Sequence, residues 1–368
     1  MNNFLERYKV EVTAIGPLYI GSGQTLKKKE WLRNLFEKKV HVVDYEKFLA
    51  FLVKRNLVKS FEKFFIDDKR PLHIWMKENK INEKDYASFT RNTLDSSGVE
   101  NMNNAHDIAL FIKDAYGQPY VPGSSLKGAL RNCILANELR NNPVNAREIA
   151  NQIHNKDVIV KKSQKNFLSK ESKNISMSCF NTCDFDKEKK ENMVNDIMKG
   201  LRVSDSKPLP CSCLTICQKI DYSVSDKENS LPILRECIKP GTKIEFELVL
   251  DKTVFDYKIQ DIEAAIESFL NDYNEMFLQY FVHEELYRDN VIYLGGGVGF
   301  ASKTITNQLL LNEKDRVKLI GKLLDITTGE QKHSGNYKEG VSPHIVKLTE
   351  YDGSLVQMGP CRITFKAM

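Results

Sequence analysis

The chain has 368 residues, 41% of them apolar and 28% charged, with a formal net charge of +5 at pH 7. These values describe a globular protein with room for one large or two ordinary domains, and no apolar run approaches the roughly 18 residues that a membrane-spanning helix needs. The start, Met-Asn-Asn-Phe-Leu-Glu-Arg, lacks the basic-then-apolar pattern of a signal peptide, so the cytoplasm is the expected location.

Tyr8 to Ile15 alternates apolar and polar residues and predicts a half-buried strand. It runs into Gly16-Pro17-Leu18-Tyr19-Ile20-Gly21-Ser22-Gly23, a turn-rich segment whose glycines permit close backbone approach. Residues 24–115 read as an insertion. They open on Lys27-Lys28-Lys29, a kind of run that is usually solvated surface. Trp31 to Phe36 and Lys39 to Val43 predict a hairpin, and Asp44 caps a helix carrying Phe48, Leu49, Phe51 and Leu52. Helical pieces are expected over 57–65 and 82–93, and polar loops over 95–98 and 101–104. A hairpin of Ile108–Lys113 with Gln118–Val121 turns at Ala115-Tyr116-Gly117.

The next stretch runs Tyr120-Val121-Pro122-Gly123-Ser124-Ser125-Leu126-Lys127-Gly128-Ala129-Leu130-Arg131. Pro119 and Pro122 bracket an extended piece, after which Ser124 is a good N-cap. Leu126, Ala129, Leu130, Cys133 and Ile134 form a helical apolar stripe over 124–140. Lys127 and Arg131 lie one turn apart on its flank, and Gly128 removes a side chain where a ligand backbone could approach. A helix N-terminus with two hydroxyls and two cations suits an anion, although Gly-Ser-Ser alone is also ordinary capping. The order is not that of a Walker A loop, because Lys127 precedes the second glycine.

A second helix is expected from Pro143 to about His154. Residues 155–195, with Lys161-Lys162, Lys187 and Lys189-Lys190, are polar and poor in large apolar groups, and predict a long loop. Order returns at Gly200-Leu201-Arg202-Val203-Ser204-Asp205-Ser206, then in strands at Leu214–Tyr222 and, after Pro240-Gly241, at Thr242–Asp251. Ile259, Ile262, Ile266, Phe269, Leu270, Tyr273, Phe277 and Phe281 mark one long amphipathic helix.

Tyr293-Leu294-Gly295-Gly296-Gly297-Val298-Gly299-Phe300-Ala301-Ser302-Lys303 follows; four glycines in five residues make neither a stable helix nor a stable strand. The spacing does not match a dinucleotide-binding turn, and a loop packed on a nucleic-acid backbone fits better. The tail, 312–368, predicts a helix near 313–324, a polar loop at 328–343 and strands at Ile345–Thr349 and Cys361–Phe365. The eight cysteines contain no Cys-x-x-Cys pair, and Cys211, Cys213 and Cys217 match no common zinc spacing; reduced thiols and no metal or cofactor are expected.

Five of these stretches, in this order, resemble the RAMP superfamily, the RNA-binding subunits of CRISPR effector complexes: Ile20-Gly21-Ser22-Gly23, Pro122-Gly123-Ser124-Ser125-Leu126-Lys127-Gly128 through Arg131, Arg202-Val203-Ser204-Asp205, Pro240-Gly241-Thr242, and the glycine loop. The resemblance implies an α+β fold, a ferredoxin-like β-α-β-β-α-β core of the kind RNA-recognition modules use. The core would cover 1–311 with insertions at about 24–115 and 155–195, and 312–368 would be a C-terminal extension packing on it; a second, degenerate ferredoxin-like unit stays open. Within the superfamily, the insertion, the glycine loop and Ser342-Pro343-His344 resemble the subunits that cap the backbone of type III-A (Csm) complexes.

That subgroup implies binding of the CRISPR RNA at its 3′ side, contacts with a neighbouring RAMP backbone subunit and a small helical subunit, a role in 3′-end maturation through recruited nucleases, and no membrane. Because such a protein must hold any spacer sequence, it should grip phosphates and 2′-hydroxyls. The implied RNA-binding residues are Gly21, Ser22, Gly23, Lys27, Lys28, Lys29, Gly123, Ser124, Ser125, Lys127, Gly128, Arg131, Arg202, Gly295, Gly296, Gly297, Gly299 and Lys303. The alternative is a RAMP endoribonuclease. Target-cutting relatives carry an Asp in the loop after the first strand, where this chain offers only Glu30; His41 and His154 are the other candidate bases. A binding subunit without catalysis is therefore expected.

Overall fold

A computed structural model of the chain describes residues 4–34, 36–99, 107–154, 166–281, 285–310, 312–330, 332–333 and 335–368. Lys161 and Lys162 lie outside the described residues. The fold is mixed α/β, built on two sheets.

The first sheet has five strands in the spatial order Val291–Tyr293, Pro360–Ala367, Leu5–Ala14, Lys243–Asp251 and Leu201–Val203, every neighbour antiparallel. Period-2 patterning decides which face is buried. Val10 and Val12 pair with Phe246 and Ile244 on one side and with Phe365 and Ile363 on the other. The helices Gly123–Asn141 and Ile259–Met276 share this core through Leu126, Leu130, Ile134, Ile262, Ile266 and Phe269.

The β-α-β-β-α-β order that the resemblance implies puts its last strand after the glycine loop, but there Thr306–Leu309 is a short helix. The place beside the first strand belongs to Pro360–Ala367, from the tail. The tail thus supplies an interior strand of the sheet. Cys361 and Ile363 are buried there, and a run of only eight residues could not announce which strands it would pair with.

The second sheet follows the path Gly21–Leu26, Ile108–Phe111, Glu228–Ile238, Leu214–Ser223, Thr90–Asp95, Lys39–Val43 and Trp31–Asn34; Ile345–Tyr351 joins Leu214–Ser223 and pairs with Ser354–Gln357. The hairpin at 31–43 is present, and the Asp44 side chain accepts from Lys47 N at 3.2 Å to cap Tyr45–Lys54. Over 82–93 the structure differs: Glu83–Phe89 is a 3₁₀ turn and Thr90–Asp95 a strand, because Lys39–Val43 offers it an open edge and Thr90 and Thr93 suit a pleated surface.

Within 155–195, Ser169–Phe180 is a helix, not loop, anchored by buried Ile175 and Phe180. Gly21–Leu26 is an edge strand, and Glu228–Ile238, whose Pro232 hides its periodicity, is the partner of Leu214–Ser223. The long helix ends at Met276, five residues early, where Phe277 leaves helical geometry.

Candidate nucleic-acid interface

The signature helix begins at Gly123, not Ser124, and its cap comes from elsewhere in the chain. Gly123 N donates to Asp205 Oδ1 at 2.8 Å, and Val121 N donates to Ser206 Oγ at 2.9 Å. A Cβ on Gly123 would run into the carbonyls of Val203 and Ser204. Two of the sequence stretches therefore form one joint: the glycine lets the helix start touch the end of the strand Leu201–Val203 and Ser204 after it, and the Asp205 carboxylate holds it. Ser124 and Ser125 are released from capping, and their hydroxyls have no partner among the described residues.

They face a groove of about 420 Å³ that also collects Ile20, Gly21, Gly128, Asn132, Gly295, Gly296, Ser302 and Lys303. Nothing lies within 4 Å of a Cβ built on Gly128, so this face of the helix is open. Opposite, the glycine loop is fastened to the segment before Gly21. Gly296 N donates to Tyr19 O at 2.6 Å, and Gly295, at φ +76°, approaches the same carbonyl so closely that no side chain fits. Gly297 (φ +90°) and Gly299 (φ +91°) hold left-handed backbone that larger residues rarely adopt. Asn132 Nδ2 donates to Lys303 O at 2.8 Å and ties the loop to the signature helix.

The cations fall into two groups. Lys127 and Lys303 make no ion pair among the described residues. Partial burial holds both lysines below the usual range; Arg131 and Arg202 push Lys127 further down, Asp196 opposes them, and Arg235 adds to the effect at Lys303. These two are available to an anion. Arg131 is not: it pairs with Asp196 at 3.0 Å, donates to Ser176 Oγ at 2.6 Å and lies 4.3 Å over the Phe180 ring. Arg202 pairs with Asp251 at 2.8 Å but stays mostly exposed.

The lysine run is divided. Lys27 pairs with Asp107 at 2.6 Å, Lys28 is half-buried, and Lys29 donates to the carbonyls of Phe64 and Phe65 at the end of the helix Val58–Asp67. None of the three lines the groove. Ser22 Oγ donates to Leu110 O at 3.2 Å, and Gly23 (φ +80°) is exposed with nothing near.

Four residues at this site carried no sequence signal. Arg235 lies 5.3 Å over the Tyr19 ring and beneath Gly297, where a Cβ would stand 2.7 Å from its guanidinium. On the adjoining strands Lys219 and Lys347 share Asp221, at 3.5 and 2.8 Å. Burial first, then Lys347 and Arg235, lower the Lys219 ammonium against Asp221. Strand register brings them together (Lys347 faces Asp221).

The candidate bases are occupied elsewhere. Glu30 accepts from Lys27 N at 2.5 Å, and His41 is buried with Nδ1 3.1 Å from Thr90 Oγ1. The side chain of His154 lies outside the described residues. Among the described residues no three His, Cys, Asp or Glu gather as a metal site, and no helix is long and apolar enough to cross a membrane. The groove brings two serine hydroxyls and the Lys303 ammonium together beside the open backbone of Gly128, while Lys127 lies outside its lining.

The family model of the RAMP superfamily matches residues 11–329. The chain belongs to the RAMP superfamily. Among curated proteins it is 30% identical over 320 residues to "CRISPR system Cms protein Csm5" of Streptococcus thermophilus, covering 84% of this chain and 82% of that protein. The like-named Mycobacterium tuberculosis protein is 27% identical, covering 100% and 99%. Two solved structures share the fold at 20% identity. One is a chain of a Csm–crRNA–target RNA ternary complex of a type III-A CRISPR–Cas system, with TM-score 0.64 and coverage of 97% of this chain and 100% of that one. The other is T. onnurineus Csm5, with TM-score 0.60 and coverage of 96% and 99%.

Proposed function

We propose that this RAMP protein is a subunit of a type III-A interference complex, that it grips the 3′ side of the CRISPR RNA, and that it caps the filament of backbone subunits without cutting RNA itself. The observation that carries this reading is the convergence of Gly21, Ser124, Ser125, Gly128, Gly295, Gly296 and Lys303 on one groove. The two hydroxyls and the ammonium can hold phosphate and 2′-hydroxyl whatever the base, and the glycines leave room for a nucleic-acid backbone, which a guide of variable sequence requires. The names of its relatives support the same complex.

In this reading the five-stranded sheet with its two helices is a ferredoxin-like core whose fourth place is taken by Pro360–Ala367, and the RNA crosses between the signature helix and the glycine loop. Capping follows from asymmetry: an end subunit binds one backbone neighbour and leaves its far side free for the guide's 3′ end and for the nucleases that trim it. The test is reconstitution of the complex with and without this chain. Guides should be ragged or unprotected at the 3′ end without it, and Ser124→Ala with Lys303→Ala should reproduce that defect while target cleavage keeps its positions. Normal guide length in both cases refutes the assignment.

A further inference from the structure

A second groove, about 590 Å³ in volume, opens on the large sheet, and nothing above assigns it a role. Gly21–Leu26 joins the two. Gly21 lines the first groove, Gln24 and Leu26 line the second, and the strand between them is an exposed sheet edge about 16 Å long at 3.3 Å per residue. The floor of the second groove is apolar, with Leu94 and Leu214 buried.

Its wall carries four cations, Lys39, Arg91, Lys113 and Lys239, against two carboxylates, Asp95 and Glu236. Both carboxylates are already neutralised. Lys113 pairs with fully buried Glu236 at 2.9 Å, and Lys239 pairs with Asp95 at 3.0 Å. Arg91 is exposed and has no ion pair among the described residues, and Lys39 has only a loose contact to Glu37 at 3.7 Å.

Next in sequence to Gly117, which lines the groove, is Tyr116, 91% exposed. It is no floppy tip: Asp114 Oδ1 accepts from Tyr116 N at 2.9 Å and from Gln118 N at 2.8 Å, which fixes the turn that presents the ring.

We propose that this groove holds the continuation of the single-stranded RNA, phosphates on Arg91 and Lys39, and a base stacked on Tyr116 after the chain has run along Gly21–Leu26. An apolar floor, unneutralised cations and an exposed aromatic ring on a fixed turn are what unstacked nucleotides need. The inference rests on the first groove binding RNA.

The test uses the full chain and labelled oligonucleotides of about 4 and about 16 nucleotides, the range that single-strand sites span. Arg91→Ala with Lys39→Ala should weaken the long oligonucleotide and lower its salt slope by about 1.4, two contacts at ~0.7 each, while the short one binds unchanged. Tyr116→Ala should weaken the long one alone. Cys211, the one exposed cysteine and a wall residue of this groove, supplies an independent readout: the long RNA should slow its alkylation, and the short should not.

Unchanged long-oligonucleotide affinity in the double variant, or unprotected Cys211, overturns the inference and leaves the first groove standing. Intact RNA binding with lost docking of a neighbouring subunit would assign the groove to protein instead and also overturn it. If wild type binds neither oligonucleotide, the proposed function itself fails and this inference with it.

Discussion

Lys127 and Arg131 sit one turn apart on the same helix, and the structure sets them opposite tasks. Arg131→Ala removes the contact to Asp196 at 3.0 Å, the hydrogen bond to Ser176 at 2.6 Å and the stacking over Phe180 at 4.3 Å. The site is partly buried, so the loss should be about 2 kcal/mol, chiefly the charged hydrogen bonds with a smaller cation–π share. For a chain of this size that lowers the thermal midpoint by roughly 2 to 3 °C. Lys127→Ala removes no such partner and should leave the midpoint unchanged. It should instead remove one phosphate contact, reducing the salt slope for single-stranded RNA by ~0.7. Between 50 and 200 mM salt the variant's affinity would then fall about 2.6-fold less than the wild type's. Fluorescence anisotropy across a salt series, beside a thermal melt of each variant, separates the two effects. A normal melt with a reduced salt slope for Arg131→Ala would refute the reasoning, because it would put that guanidinium on RNA and not on the helix Ser169–Phe180.

Gly123→Ala should destabilise the chain by about 3 kcal/mol or more, since its Cβ meets two carbonyls that cannot move without breaking the strand; an unchanged denaturant midpoint would contradict that. Gly297→Val combines a positive φ with a clash against Arg235 and should loosen the Arg235–Tyr19 stack and weaken RNA binding, measured on protein whose melt is lowered but still cooperative. RNA binding should also weaken early as pH rises. Lys127 and Lys303 hold their protons less tightly than ordinary lysine, so their charge, complete below the depressed pKa, is lost before the usual value near 10.4 is reached. Lys127→Arg should delay that decline in an anisotropy titration from about pH 8 upward. Glu30→Ala and His41→Ala should leave target cleavage by the reconstituted complex unchanged in rate and position; loss of one cut with normal assembly would make this subunit a nuclease.

The sequence by itself determined the pieces whose signals are local. Alternation at 8–15 and 242–251, the apolar stripes of 124–140 and 259–281 and the Asp44 cap each depend on residues within one or two turns, and each marks a strand, helix or cap that is present, although the long helix stops at Met276. The resemblance to RAMP proteins was legible for the same reason, since its motifs are contiguous strings. Only the tertiary structure decided what those strings touch. Gly123 looked like part of a cap, and became the point where a helix meets the Ser204 carbonyl 81 residues on, because a clash across space leaves no local mark. Arg131 looked like a free cation until a helix within the supposed loop of 155–195 brought Ser176 and Phe180 to it, and the turn before Gly200 brought Asp196. Arg235, Lys219 and Lys347 met through strand register, and Pro360–Ala367 took the place beside the first strand, because pairing over such separations is chosen by the burial of the whole sheet and not by any window of sequence.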